Sequence, residues 1–426
     1  MIKRLLIVLF IFYSLFNISA NSLTEDSLYI KKIFFEGNYK IKEPILRNII
    51  KIKEGKKYSI KDINGDIRRL YDEKIFRDVK IFIEENHDSA TLIYYLEDKT
   101  YSYFLPQLHY ISLPNGNEWF ITASFLLRLK NLNGFNELNS FYIEGYKRKI
   151  FSFGLYNPSL TKNKIILGVN TLYINTPSLK IENLTEEKEN ISFILGRQNN
   201  KLQGVRLYIG FQLDRVDSLN LYIKQNKYPF VGIEWKFFES DFRYYPKKRT
   251  YAKVMLKRYG GKSWDVDYYK LILEGSLIRD FYNFLFMIRK GEYLIFNSNK
   301  IYFYQRFFAG GDNTIRVYPL SSLPYDREGV NILNILQTEL VYPIYHLKDN
   351  IKLNWIGDFL ETYFLIGIWF DVARLQRDFG VNGNYYWSYG VGIRGWNVKF
   401  SQYGSIDIGI NKEKKFSIFV SNTFIF

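Results

Sequence analysis

From residue 100 onward the chain alternates apolar and polar positions again and again, and no long apolar run interrupts the pattern. In Val205–Asp214 (VRLYIGFQLD), Val205, Leu207, Ile209, Phe211 and Leu213 oppose Arg206, Tyr208, Gly210, Gln212 and Asp214. Ser405–Asn411 (SIDIGIN) repeats the pattern. Lys415–Phe426 (KFSIFVSNTFIF) places Phe416, Ile418, Val420, Phe424 and Phe426 on one side, with Ser417, Ser421 and Thr423 on the other. Successive side chains of a strand point to opposite faces, so each stretch predicts a strand with one apolar and one polar face. Carried through a whole domain, that pattern suits a barrel wall with lipid outside and water inside. About sixteen such segments follow one another, from 101–112 and 117–129 to 398–411 and 415–426, and an even number puts both chain ends on one side of the membrane. The stretch from about Ser298 to Arg327 lacks the alternation and carries several glycines and prolines. A loop of that length is usually functional or disordered.

Leu28 to Asp98 reads differently. Tyr29–Phe35 predicts a strand closed by the turn Glu36-Gly37-Asn38. Ile45, Leu46, Ile49 and Ile50 fall at helical spacing within 43–51. Ser59 with Asp62 three residues on resembles a capping box, opening a second helix whose face carries Ile60, Ile63, Ile67, Leu70 and Tyr71. Phe76–Glu84 and Ala90–Leu96 then predict a hairpin. The order is β-α-α-β-β, with one small core.

The N-terminus is basic at Lys3 and Arg4, apolar from Leu5 to Phe16, and small at Ser19, Ala20 and Ser22. This is the pattern of a secretory signal peptide, expected over residues 1–22, with an uncleaved anchor as the other reading. The chain has no cysteine, which excludes a lipid-modified cysteine and any disulfide. Aromatic residues make up 19%, with 36 Tyr and 36 Phe, an excess that suits girdles at two membrane interfaces. A soluble β-sandwich or propeller is the other class, but so much aromatic surface would make it adhesive. Net charge is +16, yet the charges are scattered along the strands rather than clustered. Barrel loops facing anionic lipid headgroups explain them without nucleic acid, which is not an expected partner. His87, His109 and His346 lack metal-ligand spacing, and there is no Gly-x-Ser-x-Gly or phosphate loop. Nothing in this set calls for an enzyme, a metal or a cofactor.

The order of motifs resembles the outer-membrane insertase and secretion-pore superfamily typified by BamA and TamA, the outer membrane protein 85 superfamily. Ile33-Phe-Phe-Glu-Gly37-Asn38, Ile52-Lys-Glu-Gly55, Ile67-Arg-Arg-Leu70-Tyr71 and Phe76-Arg-Asp-Val79 are similar to the frame of a POTRA (polypeptide-transport-associated) domain, although Lys74-Ile75 stand where the family has a glycine before the last Phe. Asn131-Leu-Asn-Gly134-Phe135 is similar to the family's early hairpin turn, and Pro246-Lys-Lys-Arg249 lacks its usual glycine. Phe307 to Tyr318 (FFAGGDNTIRVY) resembles the family's Gly-Gly…Val-Arg-Gly-Phe/Tyr loop, and Phe370-Asp371-Val372-Ala373 its Asp-x-Gly strand. Val317 and Ala373 stand in place of the two motif glycines. The resemblance implies a mainly β fold: a single POTRA domain at 27–99, then a 16-stranded antiparallel transmembrane β-barrel at 100–426.

It also implies roles. The long loop, through Gly310, Gly311, Ile315 and Tyr318, would fold back into the barrel, and Arg316 would meet Asp371 on the wall. A guanidinium matches a carboxylate in a planar, bidentate way. The other reading makes Arg316 a solvated loop residue and Asp371 a lumen residue facing water. Phe416, Phe424 and Phe426 match the terminal outer-membrane targeting signal, or are simply interface aromatics; the two readings are compatible. POTRA topology places Phe76–Glu84 at a sheet edge. Phe76, Val79, Ile81 and Ile83 would then receive a client as an added strand, unless Arg77, Asp78, Lys80 and Glu84 protect the edge. The implied partners are outer-membrane lipid and unfolded outer-membrane or secreted client polypeptides, with periplasmic chaperones or accessory lipoproteins as further candidates. The implied function is assembly or insertion of β-barrel proteins; a two-partner-type secretion pore and a passive porin or surface antigen are the alternatives.

Overall fold

The computed structural model describes residues 27–421, apart from 73–75, 87–88, 99–101, 113–118, 131–137, 158–164, 179–183, 201–202, 219–220, 241–247, 303–304, 312, 319–320, 325–327, 348–361 and 398–401. The expected signal peptide, the early hairpin turn at 131–135, Phe424 and Phe426 lie outside the described residues.

The N-terminal unit runs β1 (Ser27–Asn38), α1 (Glu43–Ile49), β2 (Lys56–Ser59), α2 (Ile60–Asp72), β3 (Phe76–Asn86) and β4 (Ser89–Asp98). Its sheet has the order β2-β1-β4-β3, with β1 and β4 parallel and β3 antiparallel at one edge. The four-residue β2, paired with β1 from Ile30↔Lys56 to Ser27↔Ser59, is an addition to the expected order. A strand that short is too brief to show a period. The α2 cap forms as a local box. The Ser59 hydroxyl accepts the Asp62 N–H at 3.2 Å and donates to the Asp62 carboxylate at 3.3 Å.

The apolar helix faces and the inward side chains of β1, β3 and β4 meet in one core, with Ile30, Ile33, Leu46, Ile63, Leu70, Leu92 and Leu96 buried. Inside it sits a fully buried carboxylate, Asp66. It accepts the Lys51 N–H at 2.7 Å, the Ile52 N–H at 3.1 Å and the Tyr94 hydroxyl at 2.9 Å, and it pairs with the Arg69 guanidinium. One charge thus ties the chain after α1 to α2 and β4. Burial, and then the negative charge of Asp66, push the Tyr94 phenol well above its ordinary range.

The second unit is a single 16-stranded antiparallel sheet, from β5 (Ser102–Ser112) to β20 (Phe416–Ser421), in which each strand pairs with the next in chain order. The longest strand is β12 (Leu221–Ser240). Side chains sort by parity as the alternation predicts. On β17 (Thr362–Gln376), Phe364, Ile366, Ile368 and Phe370 are exposed on the outer face, while Leu365, Trp369, Asp371 and Ala373 are buried on the inner one. Outer apolar residues recur on β11 (Gln203–Ser218) at Val205, Leu207, Ile209 and Phe211. A greasy exterior wrapped around buried charges suits a wall in lipid.

Candidate functional site

The connection between β15 (Phe284–Lys300) and β16 (Ile332–Leu347) folds inward against the wall. Its two limbs bridge at Phe307↔Val330 and Ala309↔Leu323, and the Gly311 N–H donates to the Tyr318 carbonyl at 2.9 Å. Gly310 and Gly311 take φ of 120° and 83°, the left-handed side that glycine adopts without penalty. The Thr314 hydroxyl closes the tip, accepting the Gly310 N–H at 2.8 Å and donating to its carbonyl at 3.0 Å. Ile315 and Tyr318 anchor the turn in a cluster with Leu323, Val330, Leu333, Ile335, Ala373 and Leu375.

The turn presents Arg316, which is fully buried. Its Nε and Nη2 donate to the two oxygens of Asp371 at 2.8 and 2.7 Å, and its backbone N–H donates to Asp371 Oδ2 at 3.0 Å. Nη1 reaches Glu339 on β16 at 3.1 Å. Glu339 also accepts from Arg394 Nε at 2.5 Å, and Arg394 Nη1 lies 2.5 Å from Asp407 Oδ1. Asp407 accepts the Ser405 hydroxyl at 2.6 Å. Arg394 belongs to β18 (Asn384–Asn397) and Asp407 to β19 (Gln402–Asn411). One loop residue thus joins a chain of five charges across four consecutive strands, two guanidinium groups against three carboxylates. The Arg316 guanidinium also stacks over Trp369, 4.2 Å from the ring centroid. Glycines leave room for it. A Cβ at Gly409 would come within 2.6 Å of the Trp369 ring, and one at Gly392 would collide with both Arg394 and Asp407.

The two departures from the family motif have different consequences here. Val317 sits at φ 73°, a region that a β-branched residue rarely adopts. Its Cγ2 lies over Gly409, 2.7 Å from where a Cβ there would stand. Ala373 is fully buried within the loop cluster, so its methyl group is part of the packing.

The loop has a second hold that the sequence reading missed. Gln305 Nε2 donates to the Tyr228 hydroxyl on β12 at 3.0 Å, and Tyr228 in turn pairs with Asp214 on β11. Lys270 Nζ donates to the Gln305 carbonyl at 2.6 Å. Glu339, Arg394, Asp407 and Trp369 were missed as well. For the three charged residues the signal was charge at inward parity, beside outward apolar residues such as Leu340 and Tyr342, Val391 and Ile393, and Ile406 and Ile408.

The edge of the N-terminal sheet corrects one expectation. β3 is at the edge, but Phe76 and Val79 are buried in the core and Ile81 packs against it. The apolar parity that identified the strand is its inward face, so these side chains are unavailable to a partner. What β3 offers is its free backbone edge, the partly exposed Ile83, and the outward Lys80, Phe82 and Glu84. At the other end of the chain, Phe416 is exposed on the outer face of β20. β20 pairs with β19 from Ile410↔Phe416 to Ser405↔Ser421, and among the described residues no ladder joins β20 to β5.

Comparison with known proteins agrees with this geometry. Residues 28–99 match the model of the POTRA family, described as surface antigen variable number repeat. The fold is similar to BamA from Haemophilus ducreyi lacking POTRA domains 1–3, at TM-score 0.61 and 15% identity, over 93% of this chain and 83% of that one. It is also similar to CdiB from Escherichia coli, at TM-score 0.64 and 12% identity over 93% and 74%, and to CdiB from Acinetobacter baumannii, at 0.58 and 13% over 92% and 73%. Among curated proteins nothing matches the sequence. The domain match and the shared fold define a POTRA domain ahead of a β-barrel whose fold is similar to those of BamA and CdiB.

Proposed function

We propose that this chain is an outer-membrane assembly or translocation factor for polypeptides, with its POTRA domain in the periplasm. In this reading residues 1–22 are a signal peptide, 27–99 the POTRA domain and 100–426 the barrel. The terminal strand, with Phe416, Phe424 and Phe426, carries the outer-membrane targeting signal. An unfolded client adds as a strand to the β3 edge, where main-chain hydrogen bonds give affinity. It passes to the seam between β5 and β20, which opens sideways and lets client strands form against it. Burial of the client's apolar faces in lipid supplies the driving force. The observation that carries this reading is the seam: among the described residues, β20 pairs with β19 on one side and with no strand on the other. The loop lying inside the barrel favours a second reading, a secretion pore in which the client takes the lumen and the loop is its plug.

Paired cysteines at Tyr103 and Phe419 decide between them, in a chain that has no cysteine of its own. Growth and outer-membrane protein levels are compared with the pair oxidised and reduced, against each single cysteine. Loss of function on oxidation with recovery on reduction supports the seam. A locked protein that still passes its client, or still conducts ions, makes the lumen the route.

A further inference from the structure

A free sheet edge presents side chains as well as backbone. The register of the POTRA sheet lays its outward residues in rows across strands. Phe34 on β1 lies opposite Ile93 on β4, and Ile93 lies opposite Phe82 on β3. On one side of this row stand Lys32, Thr91 and Glu84; on the other, Glu36, Tyr95 and Lys80. The middle row is apolar, the flanking rows end in opposite charges, and all three end at the free edge. Phe34 is 48% exposed and Phe82 52% exposed, because both helices pack on the opposite face of the sheet. Charged residues on an edge strand discourage indiscriminate pairing. A half-exposed phenylalanine between them does the reverse for one kind of partner.

We propose that this outward face reads the sequence of the strand that adds to β3. It selects an extended polypeptide with an aromatic residue paired with Phe82, a basic residue beside Glu84 and an acidic residue beside Lys80. The inference rests on strand addition at β3 and goes beyond it, from a backbone edge to the side chains that choose the client. A directly opposed residue brings its Cβ to about 5 Å from that of Phe82, close enough for ring contact. An aromatic there extends the row Phe34–Ile93–Phe82 by one strand and covers the exposed ring. The flanking positions lie two residues away on each side, so an antiparallel client reads basic-x-aromatic-x-acidic and a parallel one the reverse. Lys80 already lies 3.0 Å from Asp78 on its own strand, which makes the acidic position the weaker of the two.

The test uses the full-length protein in detergent and three blocked nine-residue peptides, each with a photoreactive label whose attachment site is mapped. The first carries Lys-Thr-Phe-Thr-Glu at its centre, the second has Ser for Phe, and the third has Glu at both flanking positions. The first is expected to bind about fivefold tighter than the second, the upper range of one cross-strand aromatic pair, and to label β3. Phe82→Thr, an exposed and strand-compatible change, removes that difference. Glu84→Lys moves the preference to the third peptide. Three peptides that label β3 with equal affinity leave strand addition standing and overturn the side-chain reading. Peptides that bind without labelling β3, or not at all, overturn both.

Discussion

Replacing Arg316 by Ala tests the five-charge chain most directly. The substitution removes the bidentate contacts to Asp371 at 2.8 and 2.7 Å and the contact to Glu339 at 3.1 Å. Asp371 keeps the backbone N–H of residue 316, and Glu339 keeps Arg394. Breaking one side of a buried pair costs about 3–5 kcal/mol, because the remaining charge stays in low dielectric without its partner. The cation over Trp369 adds up to about 2 kcal/mol, partly the same desolvated contact. A net of about 4 kcal/mol against docking corresponds to roughly a thousandfold. The charge balance predicts an order as well as a size. Arg316→Ala leaves one guanidinium against three carboxylates, whereas Asp371→Asn leaves two against two and keeps an acceptor for the loop. The second change is therefore expected to cost about 2 kcal/mol less, in the range of a lost charged hydrogen bond. Ile315, fully buried beside Arg316, is the reporter. In an Ile315→Cys background, the rate of maleimide labelling follows the fraction of undocked loop. Heat-modifiable gel mobility reports whether the barrel stays folded. A rise in labelling below about tenfold for Arg316→Ala, or a rise at least as large for Asp371→Asn, refutes the assignment of docking to this ion chain.

Val317→Gly relieves a β-branched residue held at φ 73° and is expected to slow maleimide labelling in the Ile315→Cys background by about fivefold, corresponding to roughly 1 kcal/mol of backbone strain; faster labelling would mean that packing over Gly409 outweighs the strain. Asp66→Ala removes the buried carboxylate that takes three hydrogen bonds and pairs with a cation, and is expected to destabilise the POTRA domain by about 3 kcal/mol, read as proteolysis of that domain in the full chain. The Lys51 ammonium, hydrogen-bonded at 2.7 Å, holds the Asp62 carboxyl below its ordinary 3.8. A depressed folded value contributes stability that is fully present above the unfolded value and is lost as pH falls through the folded one. The difference in α2 amide-exchange protection between wild type and Lys51→Met is therefore expected at about pH 6 and to vanish at acid pH below 3.8; a difference that persists there contradicts it.

The barrel was legible because period two is local. Val205 to Leu213 declares its lipid face without reference to any other strand. The loop was legible from what it lacked, alternation, and from Gly310 and Gly311. Arg316 and Asp371 came together only through resemblance, since 55 residues of chain separate them and no periodicity spans that distance. Glu339, Arg394 and Asp407 stayed hidden for the same physical reason. Their contacts depend on the register of four strands, and register is set by pairing across the sheet rather than by pattern along it. Phe82 was hidden in the opposite way. The apolar parity Val79, Ile81 and Ile83 is what identifies β3 as a strand, and a residue of the other parity reads as surface until neighbouring strands bring Ile93 and Phe34 beside it.

The placement of the loop bears on the route through the barrel. Its tip is tied to β16, β17, β18 and β19 through the ion chain, and its base to β11 and β12 through Gln305, Tyr228 and Asp214. A client in the lumen would have to release both, about 3–5 kcal/mol for the buried ion pair alone and about 1–3 for each buried polar group left without a partner. Opening at the seam leaves both intact. Among the described residues the ion chain also ends at β19, one strand short of β20, so it braces the wall up to the last strand and leaves that strand outside the brace. If bracing is its role, weakening the far end of the chain should loosen the wall next to the seam without touching the loop tip. Arg394→Ala leaves Arg316 and Asp371 in contact but removes the nearest cation from Asp407, which keeps the Ser405 hydroxyl. Amide exchange in β18 and β19 is then expected to rise about tenfold or more, with labelling of the thiol at position 315 in the Ile315→Cys background changed far less. Equal loosening of the loop tip would make the five charges one cooperative lock, and unchanged exchange in β19 would end the bracing argument.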